Sequence, residues 1–165
     1  MVSFPNLEGS TYANTYMIGK STTIQKLYHY EGVDPETGVY RFKDYNGDGI
    51  ISPIDDQQSI KEVGMKYYGG WNNSFRYKNV ELSFLFQFVK QTQFNYDSNY
   101  LAPGSLNNQP IEMLNSWSSS NPNSDYMFYY TTGKGDWNKL SGLISQSDKA
   151  ISDASFIRLK NITIS

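Results

Sequence analysis

The sequence predicts an all-β chain, an antiparallel transmembrane β-barrel segment with long extracellular loops and one short loop helix. Three observations lead there. Residues 67–94 alternate apolar and polar side chains with a period of two, in two runs separated only by Lys78-Asn79. The stretches on either side, roughly 32–66 and 95–150, are long by contrast. The chain of 165 residues holds 14 Tyr, 9 Phe and 3 Trp, yet is hydrophilic on average. No run of about 20 apolar residues offers a membrane helix.

Taken in order, residues 1–15 are punctuated by Pro5, Gly9 and Ser10 and read as an entry loop. Tyr16 to Glu31 is rich in β-formers, with Ile24, Lys26, Tyr28 and Tyr30 expected on one face and Gln25, Leu27 and His29 on the other. Asp34-Pro35-Glu36-Thr37-Gly38 predicts a turn, and Val39–Lys43 a short strand beyond it. Trp71, Phe75 and Tyr77 then oppose Asn72, Ser74 and Arg76. After Lys78-Asn79, Leu82, Phe84, Phe86 and Phe88 oppose Glu81, Ser83, Leu85 and Gln87. A helix would spread those phenylalanines around its circumference, whereas a strand aligns them. The length suits a tilted spanning strand of roughly 9–11 residues.

Residues 95–150 are rich in Asn, Ser, Gly and Pro and predict one long external loop. A short helix is expected within it at Pro110–Trp117, where Pro110 suits the first helical position and Ile111, Leu114 and Trp117 recur at helical spacing. Ala154–Ser165 is a last strand that stops in mid-pattern, which suggests truncation. Asn72-Asn73-Ser74 and Asn161-Ile162-Thr163 match the glycosylation triplet, but both fall in predicted strands and read as coincidence.

An alternating strand also suits the inner face of a soluble sandwich. Two features favour a barrel. Tyr67, Tyr68, Trp71 and Tyr77 flank the stripe with rings that carry polar handles, as in an interfacial girdle. Short turns at one rim and long loops at the other are the asymmetry of outer-membrane barrels. Lys78-Asn79 is then periplasmic, segments 44–56 and 110–117 are extracellular, and Glu81, Ser83 and Gln87 face the lumen.

Residues 44–55 follow the pattern of a calcium loop. Asp44, Asn46 and Asp48 supply side-chain oxygens at positions 1, 3 and 5, and Gly49 permits the sharp turn at position 6. Ile50 offers its carbonyl at position 7, Ser52 can hold a water at position 9, and Asp55 closes the loop at position 12. Hard oxygens on a flexible loop favour Ca²⁺ over Mg²⁺. Tyr40–Lys43 enters as a strand and Pro53 interrupts the exit, so the segment is EF-hand-like without being an EF-hand. Its expected role is structural.

Composition removes several function classes. Lys and Arg number 14 against 16 Asp and Glu, a net charge of −2 that argues against nucleic-acid binding. The chain has no Cys and a single histidine, His29, which is expected on a strand face. Gly133-Lys134-Gly135 lacks the rest of a phosphate-binding loop. Trp117, Tyr129, Tyr130 and Trp137 could stack on sugars or pack among themselves. No carboxylate pair has an acid–base context, so no enzyme is predicted.

Seven ordered blocks carry a family resemblance: FPNLEGSTY (4–12), YEGVDPETGVY (30–40), FKDYNGDGIISPIDD (42–56), YYGGWNNSFRY (67–77), LSFLFQFVKQ (82–91), NQPIEMLNSW (108–117) and DASFIRLKNITIS (153–165). In these the chain resembles the carboxy-terminal barrel region of SusC/RagA-type TonB-linked outer-membrane transporters of Bacteroidetes. The match is weakest at 118–150.

The resemblance implies that residues 1–165 are a partial TonB-dependent receptor barrel domain from a barrel of about 22 strands with a plug. It implies a cell outer membrane location in contact with lipid, a SusD-like surface lipoprotein as lid, and import of glycans or peptides driven by TonB–ExbB–ExbD. The chain shows no plug or TonB box and too few strands to close a barrel, so it is expected to be a fragment that cannot transport alone. The alternative is a soluble, calcium-stabilised β-domain that binds carbohydrate through loop aromatics and buries Phe84, Phe86 and Phe88. A cohesin-binding dockerin would need a second calcium repeat and helices.

Overall fold

Among the described residues of the computed structural model (1, 3–99, 102–130 and 137–165) strands dominate. In chain order the elements are β1 (Ile24–Leu27), β2 (Tyr30–Val33), β3 (Tyr40–Phe42), α1 (Pro53–Asp56), β4 (Ser59–Glu62), β5 (Gly64–Tyr77), β6 (Val80–Phe94), α2 (Trp137–Leu143), β7 (Ile151–Asp153) and β8 (Phe156–Ile164). Short 3-10 turns lie at Tyr96–Asn99, Ile111–Asn115, Ile144–Gln146 and Asp148–Ala150. No helix among the described residues is long and apolar enough to cross a membrane. The chain divides into two units, residues 1–62 with 94–151, and residues 63–93 with 152–165.

The second unit is an antiparallel sheet in which β6 pairs with both β5 and β8, and β7 also pairs with β6. The β5–β6 hairpin closes through Lys78-Asn79, as the alternation predicted, with Lys78 in the left-handed region at φ 53°. Residues directly opposite share a face. The register sets Trp71 against Phe86, Phe75 against Leu82 and Tyr77 against Val80. On the other side of β6, Leu82 faces Ile164, Phe84 faces Ile162, Phe86 faces Leu159 and Phe88 faces Ile157. A bulge between Leu85 and Phe86 lets β8 keep both Leu159 and Ile162 on this face. The opposite face carries Asn72, Ser74 and Arg76 of β5, Glu81, Ser83 and Gln87 of β6, and Arg158, Asn161 and Thr163 of β8.

In the first unit β1 pairs with β4 and β2 with β3. The β2–β3 connection is the expected turn. The Asp34 carboxylate accepts the backbone N–H groups of Glu36 (2.8 Å) and Thr37 (2.9 Å). Gly38 has φ +72°, and the Trp117 ring lies where its Cβ would be, at 2.4 Å. Only glycine satisfies both conditions. The core gathers Tyr28, Tyr40, Phe42, Met113, Met127, Leu143 and Ile144, with Tyr30, Tyr126 and Phe128 packed around it. Burying each large side chain contributes about 1.5–3 kcal/mol.

Four local expectations are corrected. The run 16–31 is not one strand: 16–23 are turns and irregular, and the chain breaks at Tyr28 and His29, where Tyr28 bridges Ser147. Strand parity fails there, so Ile24, Leu27 and Tyr28 are all buried. Pro53 does not interrupt the calcium-loop exit but starts α1, because a first-turn position needs no N–H. The segment 110–117 forms a 3-10 turn at Ile111–Asn115, in which Ile111 and Leu114 are eclipsed and exposed while Met113 is buried. Finally, 95–150 is not one irregular loop with a single short helix; it contributes α2 and four of the seven residues of the core cluster, Met113, Met127, Leu143 and Ile144.

Candidate functional site

The loop 44–56 is built from its own backbone outward. Gly49 takes φ +79° at the sharp turn, where the calcium-loop pattern needs a glycine. Asp44 accepts the N–H groups of Gly47 (2.7 Å) and Gly49 (2.8 Å) on its two oxygens. Those two bonds, Gly49 first, hold the Asp44 carboxyl below the usual carboxylate range. Asn46 Oδ1 accepts the Asp48 N–H (3.1 Å), Asp48 Oδ1 accepts the Ile50 N–H (2.7 Å), and Asn46 Nδ2 donates to Asp48 Oδ2 (2.9 Å). The three side chains at positions 1, 3 and 5 are thus gathered on one short turn.

Asp55 is placed differently. It is the third residue of α1, where its carboxylate accepts the Ser52 hydroxyl (2.8 Å) and its N–H donates to Ser52 Oγ (3.2 Å). This is a capping arrangement, and Ser52-Pro53-Ile54-Asp55 is the sequence signal that announces it. The residue that closes the loop base is Asp56, which is 0% exposed. One of its oxygens accepts the Tyr45 N–H (2.7 Å) at the loop entry and the other the Ser52 N–H (2.8 Å) at the exit.

Among the described residues no three His, Cys, Asp or Glu side chains converge into a metal-holding group. The donor set of Asp44, Asn46, Asp48, the Ile50 carbonyl and Asp55 is all oxygen and fits a hard divalent cation by chemistry. Holding one requires Asn46 and Asp48 to exchange their mutual contact for the ion and Asp55 to turn from its cap.

His29 sits at the break between β1 and β2, with Nδ1 2.7 Å from Asp148 Oδ2. Asp148 also accepts the Tyr30 N–H (3.0 Å) and the Ser59 hydroxyl (2.8 Å). Burial pushes the Asp148 carboxyl up, but these donors outweigh it and leave it below its ordinary range. Ser59 donates to the carboxylate and not to the imidazole, so the group has no nucleophile–base order. It ties β2, β4 and the 3-10 turn at 148–150 together.

The loop aromatics are used internally. The Trp117 indole N–H donates to the Pro35 carbonyl (3.0 Å), the Tyr129 hydroxyl donates to the Met113 carbonyl (2.9 Å), and the Tyr130 hydroxyl pairs with Ser141 (2.7 Å). Gly133-Lys134-Gly135 and the Trp137 side chain lie outside the described residues.

The other candidate surface is the apolar face of the second unit. It is continuous over three strands and open: Trp71 is 60% exposed, Phe75 58%, Ile157 78% and Ile164 72%. Phe84 and Phe86 are half-buried by their neighbours on the same face, through ring contacts of 5.5–6.5 Å with Trp71, Phe75 and each other. A soluble sandwich would have covered these rings with a second layer, and the described residues of this unit supply none.

The chain is similar to TonB-dependent receptor P3 of Formosa agariphila. Identity is 30% over 131 residues, which span 79% of this chain and 12% of the relative. The similarity supports the TonB-dependent receptor family for this chain, and the relative is named as a receptor, not as an enzyme. No protein-family model matches the sequence, and no solved structure matches it.

Proposed function

We propose that this chain is one arc of the β-barrel of an outer-membrane TonB-dependent transporter. The observation that carries the reading is the three-stranded face of Trp71, Phe75, Leu82, Phe84, Phe86, Leu159 and Ile162, backed by a polar face. Side chains that alternate in this way suit lipid outside and a wet lumen inside. β5 and β8 each leave one edge unpaired within the sheet, and in lipid such edges must be continued by further strands until the sheet closes. The TonB-dependent relative, of which this chain spans only a small part, supports the same class.

Within that class we assign the chain to the SusC/RagA type, on the ordered sequence blocks. The whole protein would import glycans or peptides, pair with a SusD-like lipoprotein, and draw energy from TonB–ExbB–ExbD. The chain's part is structural and not catalytic: strands for the barrel wall and a loop at 44–56 that Ca²⁺ pins through Asp44, Asn46, Asp48, Ile50 and Asp55.

The lipid reading is tested in the membrane-inserted full-length protein with single cysteines carrying a fluorophore. Lipid-phase nitroxide is expected to quench Phe75→Cys and Ile157→Cys strongly, and Ser83→Cys and Gln87→Cys weakly. Equal quenching at all four overturns the reading. The calcium assignment is tested by limited proteolysis, with residues 44–56 cut more slowly in calcium than in chelator. Cleavage that ignores calcium removes the metal from the proposal while leaving the barrel intact.

A further inference from the structure

The apolar face of the second unit gives out at the end far from the Lys78-Asn79 turn. Gly69, Phe88 and Ile157 form its last apolar row, and the next row sets Tyr67 against Lys90. The Phe88 ring lies over Gly69, with its Cζ 2.5 Å from where a Cβ would stand. The ring is thereby drawn toward β5 and away from β8, and Ile157 stays 78% exposed. The space left is a groove of about 490 Å³, walled by Tyr67, Phe88 and Ile157 and ended by Lys90 and Ser155. Asp153 holds the Lys90 ammonium there with one oxygen, while the other accepts the Ser155 N–H (2.9 Å) and hydroxyl. An ammonium has three donors, and Asp153 takes one. Lys66, in the register shift between Met65 and Tyr67, adds a cation that pairs with no acid among the described residues. This rim of the unit thus carries two lysines against one aspartate.

We propose that this groove binds one lipid with a phosphomonoester headgroup, its chain along Phe88 and Ile157 and its phosphate at Lys90 and Lys66. This rests on the lipid reading of the apolar face. A groove that is apolar along its length and cationic at its end complements an amphiphile with an anionic head. Lysines at the edge of an apolar band carry their charge to headgroup depth, where it attracts anionic lipid. Tyr67 beside them has the amphipathic ring that settles at the same depth. A phosphomonoester carries about two negative charges at neutral pH, one for each lysine. A neutral headgroup would leave Lys66 without a counter-charge, and free phosphate would leave the apolar walls uncovered.

The test uses the membrane-inserted full-length protein in phosphatidylcholine bilayers, with a fluorophore on a single cysteine. Leu159→Cys reports on the groove from the adjacent row, and Phe75→Cys on the end of the face nearer the turn. A minor fraction of the lipid is brominated on its chains, either as phosphatidic acid or as phosphatidylcholine. At Leu159→Cys phosphatidic acid is expected to quench about five-fold more effectively, the enrichment that one lysine near the surface gives an anionic lipid. At Phe75→Cys the two lipids should quench alike. Lys90→Gln should abolish the preference at Leu159→Cys, and unchanged phosphatidylcholine quenching at both cysteines shows that the variant is still inserted and folded. Equal quenching by the two lipids at Leu159→Cys overturns the proposal, as does a preference that persists in Lys90→Gln. An equal preference at both cysteines also overturns it, because the charge then acts along the whole surface and not at the groove. A preference that inorganic phosphate abolishes makes the free anion the ligand and overturns it too. If brominated phosphatidylcholine quenches neither cysteine, it is the lipid reading that fails.

Discussion

The two units place the same kinds of residue in opposite directions. In residues 1–62 with 94–151, Tyr28, Tyr40, Phe42, Met113 and Met127 point at one another and are almost fully buried. In residues 63–93 with 152–165, Trp71, Phe75, Ile157 and Ile164 point off one side of a sheet and stay exposed. Burial in the first unit is possible because loops fold over β2 and β3 and bring Met113, Met127 and Leu143 to them. Among the described residues of the second unit none covers its apolar side, which stays open. The contrast shows that aromatic content by itself does not locate a core; the side of the backbone on which the rings fall, and what lies across from them, does.

The sharpest way to break this contrast is one substitution in each unit. Met127→Ala is expected to destabilise the first unit by about 2–5 kcal/mol, from lost burial and a residual cavity. If the face meets lipid as proposed, Phe84→Arg should cost about 2–4 kcal/mol on insertion into a bilayer, since a cation at mid-depth is penalised. Folding titrations in lipid vesicles measure both. A neutral Phe84→Arg would mean that its face meets water, and the difference between the units would vanish.

Gly38→Ala comes next, with an expected loss of about 1–2 kcal/mol for the left-handed backbone alone. The clash with Trp117 adds to it. The change should free the 115–130 segment, which faster amide exchange around Trp117 and Phe128 would report. Unaltered exchange would show that the loop does not depend on the β2–β3 turn.

Ser52→Ala removes the cap of α1 and should cost about 1 kcal/mol, read as faster proteolysis within 44–56. The effect should be the same with and without calcium if the Asp56 clamp, and not the metal, sets the base of the loop.

The smallest effect is a pH slope. The Asp148 carboxyl is held below its ordinary value in the folded chain, so its contribution is present above the unfolded value and is lost as pH falls through the folded one. Between neutral pH and about pH 4 the tie from Asp148 to Tyr30 and Ser59 should hold, and below that window it should weaken. Asp148→Asn should flatten the acid limb of thermal melts of the first unit. The rows built by Trp71, Phe75, Phe84, Phe86, Leu159 and Ile162 in the second unit hold no acid and should be indifferent to this change.

What the sequence determined by itself is local and periodic. The Tyr67–Phe94 alternation specified the β5–β6 hairpin and its Lys78-Asn79 turn, because a period of two leaves only one face for the phenylalanines. Asp34 to Gly38 specified a turn, since an Asx acceptor and a left-handed glycine act within a few residues. Asp44, Asn46, Asp48 and Gly49 specified a tight loop for the same reason. The tertiary structure alone decided matters that depend on distant partners. It put Ile157, Leu159, Ile162 and Ile164 beside the phenylalanine stripe, through a bulge at Leu85/Phe86 that no local signal announces. It gave the loop base to Asp56, whose burial depends on two backbone groups seven residues apart. It also turned 95–150 from loop into core, because Met113, Met127 and Ile144 have no shared period and are united by packing with Tyr28, Tyr40 and Phe42. Periodicity records which side a residue faces; what waits on that side is set by parts of the chain that periodicity cannot see.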